Sequence, residues 1–399
     1  MAKRIEINRI KIHGFKSLKE IGFEMRPLNV LIGPNNGGKS TFLEFFEFLS
    51  KAAHEELQNV MAKGGGFLSL LFAGYADSES EESKKISWEI DFTALPGSKQ
   101  EKSFSYKVTL APSFPFFRKT QVVAEWLNER NLREEKRTVA SLPPPPSKGL
   151  FLGKPEAELE EGELIVAQAP KELIERFSRD YMRSWAIYKF STENVPFCSP
   201  LRGEQSLKAG VKISPDGGNL ASVLLNMREQ GKYRDAYNEI IKTLRVAFPT
   251  FKDLHFPCEV SEGRITLRWE GSEFKREFPM HVLSDGILKF LCLTTLLLSP
   301  DPPDLILIDE PEIGLHPGLI DLVREMLVAA SERTQLIVAT HSPQLVTRLK
   351  PEDIVVVEKE DGATVFKRVP QRLTPEELES WLKDFTLAEL WLTGVIGGR

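Results

Sequence analysis

Cysteine is scarce in this chain: Cys198, Cys258 and Cys292 are the only three in 399 residues, far apart and with no Cys-x-x-Cys spacing. That pattern argues against a disulfide framework and against a structural zinc site. No stretch approaches the ~20 unbroken apolar residues that a membrane-spanning helix needs, so no membrane partner is expected. Positive charge is not in excess either, with 52 Lys and Arg against 57 Asp and Glu and a net charge of -5. A uniformly basic coat for nucleic acid is thereby excluded, although local patches remain compatible with an acidic average. Residues 1 to 9 alternate charge with Ile5 and Ile7 instead of showing a basic region followed by an apolar block, and a cytoplasmic location is the expectation. Fixed-period repeats and long heptads are also missing.

What is present is an ordinary globular composition, 41% hydrophobic and 27% charged, in a chain long enough for two or three lobes. Ile5, Ile7, Ile10, Ile12, Phe23 and Met25 alternate with polar residues as half-buried strands do. Residues 28 to 32 are then almost continuously apolar, the mark of a strand buried on both faces, and lead into a glycine-rich turn and an aromatic-rich helix over 40 to 49. Strands are expected near 86 to 92 and 104 to 110. Pro143 to Pro146 and the acidic stretch 156 to 163 read as a boundary or a solvated loop. Helices are expected over 218 to 230, capped by Ser214-Pro215-Asp216, and over 233 to 248. A small antiparallel sheet over 255 to 278, a buried helix from Ser284 to Leu298, and short Ile/Leu/Val runs at 305 to 308, 335 to 339 and 354 to 357 complete the pattern. Apolar runs alternating with helices predict a parallel sheet.

Gly33-Pro34-Asn35-Asn36-Gly37-Gly38-Lys39-Ser40 fits the phosphate-loop pattern and lies between a buried strand and a helix, where the mechanism requires it. Glycines let successive N–H groups point at phosphate oxygens, and the helix start adds partial positive charge. Lys39 would reach the β- and γ-phosphates of ATP, Ser40 would ligate Mg²⁺, and Thr41 would add a hydroxyl near the α-phosphate. The strand at 305 to 308 ends in Asp309 and Glu310, two acids at the carboxyl edge of a sheet. Asp309 would belong to the Mg²⁺ shell and Glu310 would act as general base on water. His341 ends the strand at 335 to 339, where it would reach the γ-phosphate. Leu283-Ser284-Asp285-Gly286 opens an apolar helix, so Ser284 and the first N–H groups form either a plain N-cap or a second anion site.

Together these elements resemble the ATP-binding-cassette class of P-loop ATPases, in its soluble SMC-like and RecF-like branch. Residues 33 to 41 resemble Walker A, 283 to 286 the signature motif, 305 to 310 Walker B, Ile313 to His316 the D-loop and His341 the switch histidine. Residues 10 to 18 look like the family's first strands and nucleotide-facing loop, and residues 214 to 224 and 389 to 398 look like those of stand-alone AAA family ATPases found beside bacterial anti-phage nucleases. The resemblance implies an α/β P-loop head with a mixed sheet and a helical lobe, with lobe I over 1–115 and 300–399 and lobe II over 116–299. It also implies a Mg²⁺-dependent ATPase in which two heads sandwich ATP, Ser284 and Gly286 acting in trans on the other copy's nucleotide. Ser-Asp-Gly, where transporter subunits usually carry Ser-Gly-Gly, tilts away from transport. The glutamine of the Q-loop has only weak candidates, Gln100 and Gln121. OLD nucleases append a Toprim domain after the histidine, whereas 58 residues follow His341 here, and Asp361-Gly362 reads as a hairpin turn. Two roles follow for the switch: control of a nuclease or toxin effector in anti-phage defence or genome maintenance, or direct action on DNA in RecF-like repair. The DNA role would draw on Arg118, Lys119, Arg130, Arg133, Lys136 and Arg137, which read more simply as a solvated helix face.

Overall fold

The alternation of the first residues changes phase between Ile7 and Ile10, and the computed structural model of the chain shows why. Ile5–Phe15 is one eleven-residue strand, but its register against Ile86–Ala94 slips between Ile7 and Arg9, leaving Asn8 as an extra residue. Such a bulge lets odd-numbered isoleucines before it and even-numbered ones after it face the same core; Ile5, Ile7, Ile10 and Ile12 are all buried. The structure describes residues 5–54, 57–76, 84–94, 101–112, 120–130, 181–190, 204–259, 263–273 and 276–397. They fall into two compact units. One comprises 2–186, 351–380 and 394–399, and the other 187–350 with 381–393.

In the first unit, an antiparallel sheet runs in the order Leu18–Glu24, Ile5–Phe15, Ile86–Ala94, Lys102–Pro112, Thr120–Arg130. Residues 120 to 130 are thus a strand, and the helical face expected for that charged stretch is corrected: ladder pairing to 103–112 overrides a local pattern rich in Glu and Arg. The remainder of that basic cluster, Gln100, and residues 143–146 and 156–163 lie outside the described residues, as do the side chains of Gln121 and Arg130. The five residues of Leu28–Ile32 are all buried, as their continuous apolar run requires. This strand pairs in parallel with Ile354–Glu360, which forms an antiparallel hairpin with Ala363–Arg368. Asp361 and Gly362 have φ of 49° and 79°, the left-handed pair of a tight hairpin turn. Helix Lys39–His54 is held by rings: Phe45 packs edge-on to Trp88 and Phe46 to Trp185, at centroid distances of 5.9 and 5.3 Å.

In the second unit, Leu305–Asp309 pairs in parallel with Gln335–Ala339 on one side and with Ile187–Tyr188 on the other. Along the chain, helices Leu220–Glu229, Arg234–Ala247 and Asp285–Leu297 lie between Ile187–Tyr188 and Leu305–Asp309, and helix Pro317–Ser331 lies between Leu305–Asp309 and Gln335–Ala339. Ser214 and Asp216 do not cap the first of them, because the cap position falls on Asn219. Instead Asp216 accepts hydrogen bonds from Ser214 Oγ and Gly218 N, building the turn that precedes the helix. The small sheet expected over 255 to 278 is two three-stranded sheets. Phe251–His255, Arg268–Gly271 and Glu277–Pro279 form one, and Cys258–Glu259, Arg264–Ile265 and Gln205–Ser206 the other. Among the described residues, no helix is long and apolar enough to cross a membrane.

Candidate nucleotide site

The loop after Leu28–Ile32 is shaped by what stands behind it. A Cβ on Gly33 would lie 2.0 Å from the Val357 carbonyl oxygen, one on Gly37 2.8 Å from the same atom, and one on Gly38 2.1 Å from Thr364 Oγ1. Gly33 and Gly38 also have φ of 147° and 111°, and Asn36 has 66°. Glycine is therefore required here both by backbone angle and by close approach. Thr364 locks the back of the loop, its hydroxyl bonded to the Gly37 carbonyl and to Ser17 Oγ. Lys39 is buried and donates to the carbonyls of Gly33 and Pro34 at 2.8 and 2.9 Å, so its ammonium lies in the mouth of its own loop. Asn35, Asn36 and Ser40 are exposed and Thr41 is half-buried. The Ser40 hydroxyl at the helix start is thereby accessible to an anion, while Gly37 and Gly38 are buried and the Gly37 N–H donates to the Pro34 carbonyl at 3.1 Å.

The second unit carries the acids and the histidine. Asp309, buried at the end of its strand, accepts a hydrogen bond from Lys189 Nζ at 3.1 Å. Glu310 follows at φ 49°, a left-handed angle that costs a residue with a side chain about 1–2 kcal/mol. Its N–H is fixed on the Ala339 carbonyl at 2.9 Å, and its own carbonyl accepts from Lys289 Nζ at 2.7 Å. His341 Nε2 stands 3.9 Å from Glu310 Oε1. The His341 N–H donates to Glu312 Oε1 at 2.7 Å, while the other, buried oxygen of Glu312 has no hydrogen-bond partner. Burial pushes the Lys289 ammonium below its usual pKa, with Glu312 and Glu310 opposing the shift. Asp309, Glu310 and His341 thus share one edge of the parallel strands, as their positions in sequence imply.

Ser284 caps helix Asp285–Leu297, its hydroxyl accepting from Ile287 N, and both Ser284 and Asp285 are exposed. Leu283 is buried and anchors the turn from below. Gly286 packs on the carbonyl of Gly314, in the segment Ile313 to His316. His316 is the cap of helix Pro317–Ser331, its Nδ1 accepting from Gly318 N.

Sequence reasoning missed Lys189, Lys289 and Glu312. Lys289 did leave a signal, a lone charge inside an apolar helix five residues after Ser284. Lys189 left none.

A protein-family profile described as "AAA domain, putative AbiEii toxin, Type IV TA system" matches residues 28–347. The chain belongs to this family. The matched span runs from the strand before the phosphate loop to just beyond His341, and so includes residues 33–41, 283–286 and 305–310 of this chain. Among curated relatives of this AAA-domain protein, the Old nuclease of Escherichia phage P2 is 40% identical over 65 residues, 16% of this chain and 11% of that protein. A protein named "Putative ABC transporter ATP-binding protein" from Methanosarcina acetivorans is 38% identical over 82 residues, 20% of this chain and 28% of that one. The chain matches only about a tenth and about a quarter of the length of these two relatives. Among solved structures, an SMC head bound to the C-winged helix domain of ScpA aligns at a TM-score of 0.55 and 14% identity, over 94% of this chain and 99% of that one. An SMC head with an extended coiled coil, bound to the C-terminal domain of ScpA from Pyrococcus furiosus, aligns at 0.50 and 14%, over 95% and 99%. At such identity the likeness is one of fold, and the fold is the mixed α/β SMC-type head of P-loop ATPases.

Proposed function

We propose that this AAA-domain protein is an ATP-hydrolysing switch that closes head to head with a second copy of itself on ATP and Mg²⁺, and that its state is read by an effector. The observation that carries the proposal is the exposed, Ser284-capped helix tip, built like an anion site in a chain that already owns a separate phosphate loop around Lys39. A single chain has no use for two cradles on one triphosphate; two chains do. Val282 and Ile313, 55% and 46% exposed, add apolar surface beside the tip and in the segment it packs on.

In this scheme the backbone N–H groups at the start of helix Lys39–His54 and in the loop before it, where Pro34 has none to give, act with the Lys39 ammonium to hold the β- and γ-phosphates, with the Thr41 hydroxyl near the α-phosphate. Asp309 and Ser40 would hold Mg²⁺, which supplies charge neutralisation between the phosphates. The donor set fits a hard cation: Asp309 already takes a positive charge, that of Lys189, and the Ser40 hydroxyl is exposed. Among the described residues no three or more His, Cys, Asp or Glu cluster as a metal site of their own, as suits a metal bound chiefly through substrate phosphates. Glu310 takes the proton of the attacking water, and His341, 3.9 Å from its carboxylate, orients toward the same reacting group. Ser284 and Gly286 complete the partner copy's site.

An effector of nuclease or toxin type in anti-phage defence or genome maintenance is the role we favour, supported by the family's description and the similarity to the Old nuclease. Light scattering tests the switch directly. Glu310→Gln with ATP and Mg²⁺ should run at twice the monomer mass and return to monomer on removal of Mg²⁺; a variant that stays monomeric at saturating ATP would reject head-to-head closure.

A further inference from the structure

Residues 189 and 309 are 120 positions apart, and the parallel ladder makes them neighbours. Leu307 and Ile308 pair with Ile187 and Tyr188, so the next residue of each strand, Asp309 and Lys189, leaves the ladder at the same edge. Tyr188 is buried and pins its short strand, which fixes the origin of the Lys189 side chain. The ammonium then reaches Asp309 Oδ2 at 3.1 Å, an ion pair whose two ends differ sharply: the carboxylate side chain is 11% exposed and the lysine 59%. A carboxylate so far removed from water must be neutralised by something. The lysine does this with more than half of its own side chain in solvent. Lys289, another cation near Asp309, is buried and donates to the Glu310 carbonyl, so it is engaged elsewhere.

We propose that Lys189 is a positioning residue that holds Asp309 in place of a divalent cation, and that it must swing off this carboxylate before metal and nucleotide engage. The inference rests on the reading of Asp309 as part of the metal shell. Two cations cannot both sit on one carboxylate oxygen without strong mutual repulsion, so lysine and metal compete for the same anion. Lys189 thereby sets the metal concentration at which the chain engages ATP, and it keeps the aspartate ordered meanwhile.

Binding of Mn²⁺ to the full chain with saturating ATP, read by electron paramagnetic resonance, tests this without any turnover. Lys189→Met and Lys189→Gln should lower the half-saturating Mn²⁺ concentration about two- to fivefold, the range for a partly exposed ion pair. Lys189→Arg should stay near the wild type. Asp309→Asn should weaken Mn²⁺ binding and make the Lys189 substitutions silent. If Asp309→Asn weakens the metal while both neutral Lys189 variants leave it unchanged, the competition proposed here is overturned and the metal role of Asp309 survives. If Asp309→Asn leaves Mn²⁺ binding untouched, the metal reading falls and the inference falls with it.

Discussion

Gly286 stands so close to Gly314 that a Cβ added to it would meet the Gly314 carbonyl oxygen at 2.5 Å. The helix tip bearing Ser284 and the loop after Glu310 are therefore in backbone contact. Side chains between them would only wedge them apart. Gly286→Ala should destabilise the chain by about 1–3 kcal/mol, the usual range for overpacking, and should abolish the ATP-dependent dimer while ATP affinity stays within about twofold. Denaturant titration and light scattering read the two effects separately. A variant that dimerises normally would show that the tip takes no part in closure.

The phosphate loop offers two contrasting changes. Gly33→Ala puts a methyl group 2.0 Å from the Val357 carbonyl at φ 147°, so both fold and binding should suffer. Lys39→Ala keeps the backbone path and removes the buried side chain whose ammonium donates to the Gly33 and Pro34 carbonyls, at about 1–2 kcal/mol of stability for the hydrogen bonds. It should nonetheless abolish ATP binding by calorimetry; retained affinity would remove Lys39 from the site.

Glu310 pays for its place in backbone strain, with φ 49°. Glu310→Gly should raise the unfolding free energy by about 0.5–1 kcal/mol through relief of that strain, net of the extra freedom glycine has when unfolded. Phosphate release should fall at least a hundredfold in the same variant. Stability gained with activity lost is the expected signature, and a loss of stability would mean that the strain is offset by side-chain contacts.

Lys289 gives a pH test. Its folded pKa is depressed by burial below the ordinary 10.5, so between the two values the unfolded chain binds more protons and stability rises with pH. Below the depressed pKa both states carry the proton and the penalty is present in full. The stability of the wild type relative to Lys289→Met should thus increase as pH rises toward 10.5. A relative stability that falls over this window would show that Glu312 and Glu310 outweigh desolvation and hold the lysine charged.

Much of the site was legible because its signals are local. A continuous apolar run, a glycine-rich turn and a hydroxyl-bearing helix start sit next to one another at 28 to 41, the strand at 305 to 309 ends on Asp309, and the strand at 335 to 339 stops two residues short of His341. The hairpin at Asp361-Gly362 announced itself by composition. What stayed hidden depends on partners distant in sequence. Lys189 has meaning only through the ladder with 307 and 308, and the strand over 120 to 130 exists because 103 to 112 offers it an edge. The split of the small sheet follows from Gln205–Ser206, a two-residue strand some 50 residues upstream that no alternation could reveal. Lys289 was missed for a different reason: a lysine on a buried helix is tolerated here because a carbonyl accepts from it and two glutamates face it.

The back wall of the phosphate loop is made by Val357 and Thr364, residues translated more than 300 positions after Gly33. A ribosome must therefore deliver the acids, the helix tip and the histidine before the loop at 33 to 38 has anything to lean on. Nascent chains halted before the hairpin should capture no ATP, and the protein acquires its grip on nucleotide only once the parts that would spend it have already emerged.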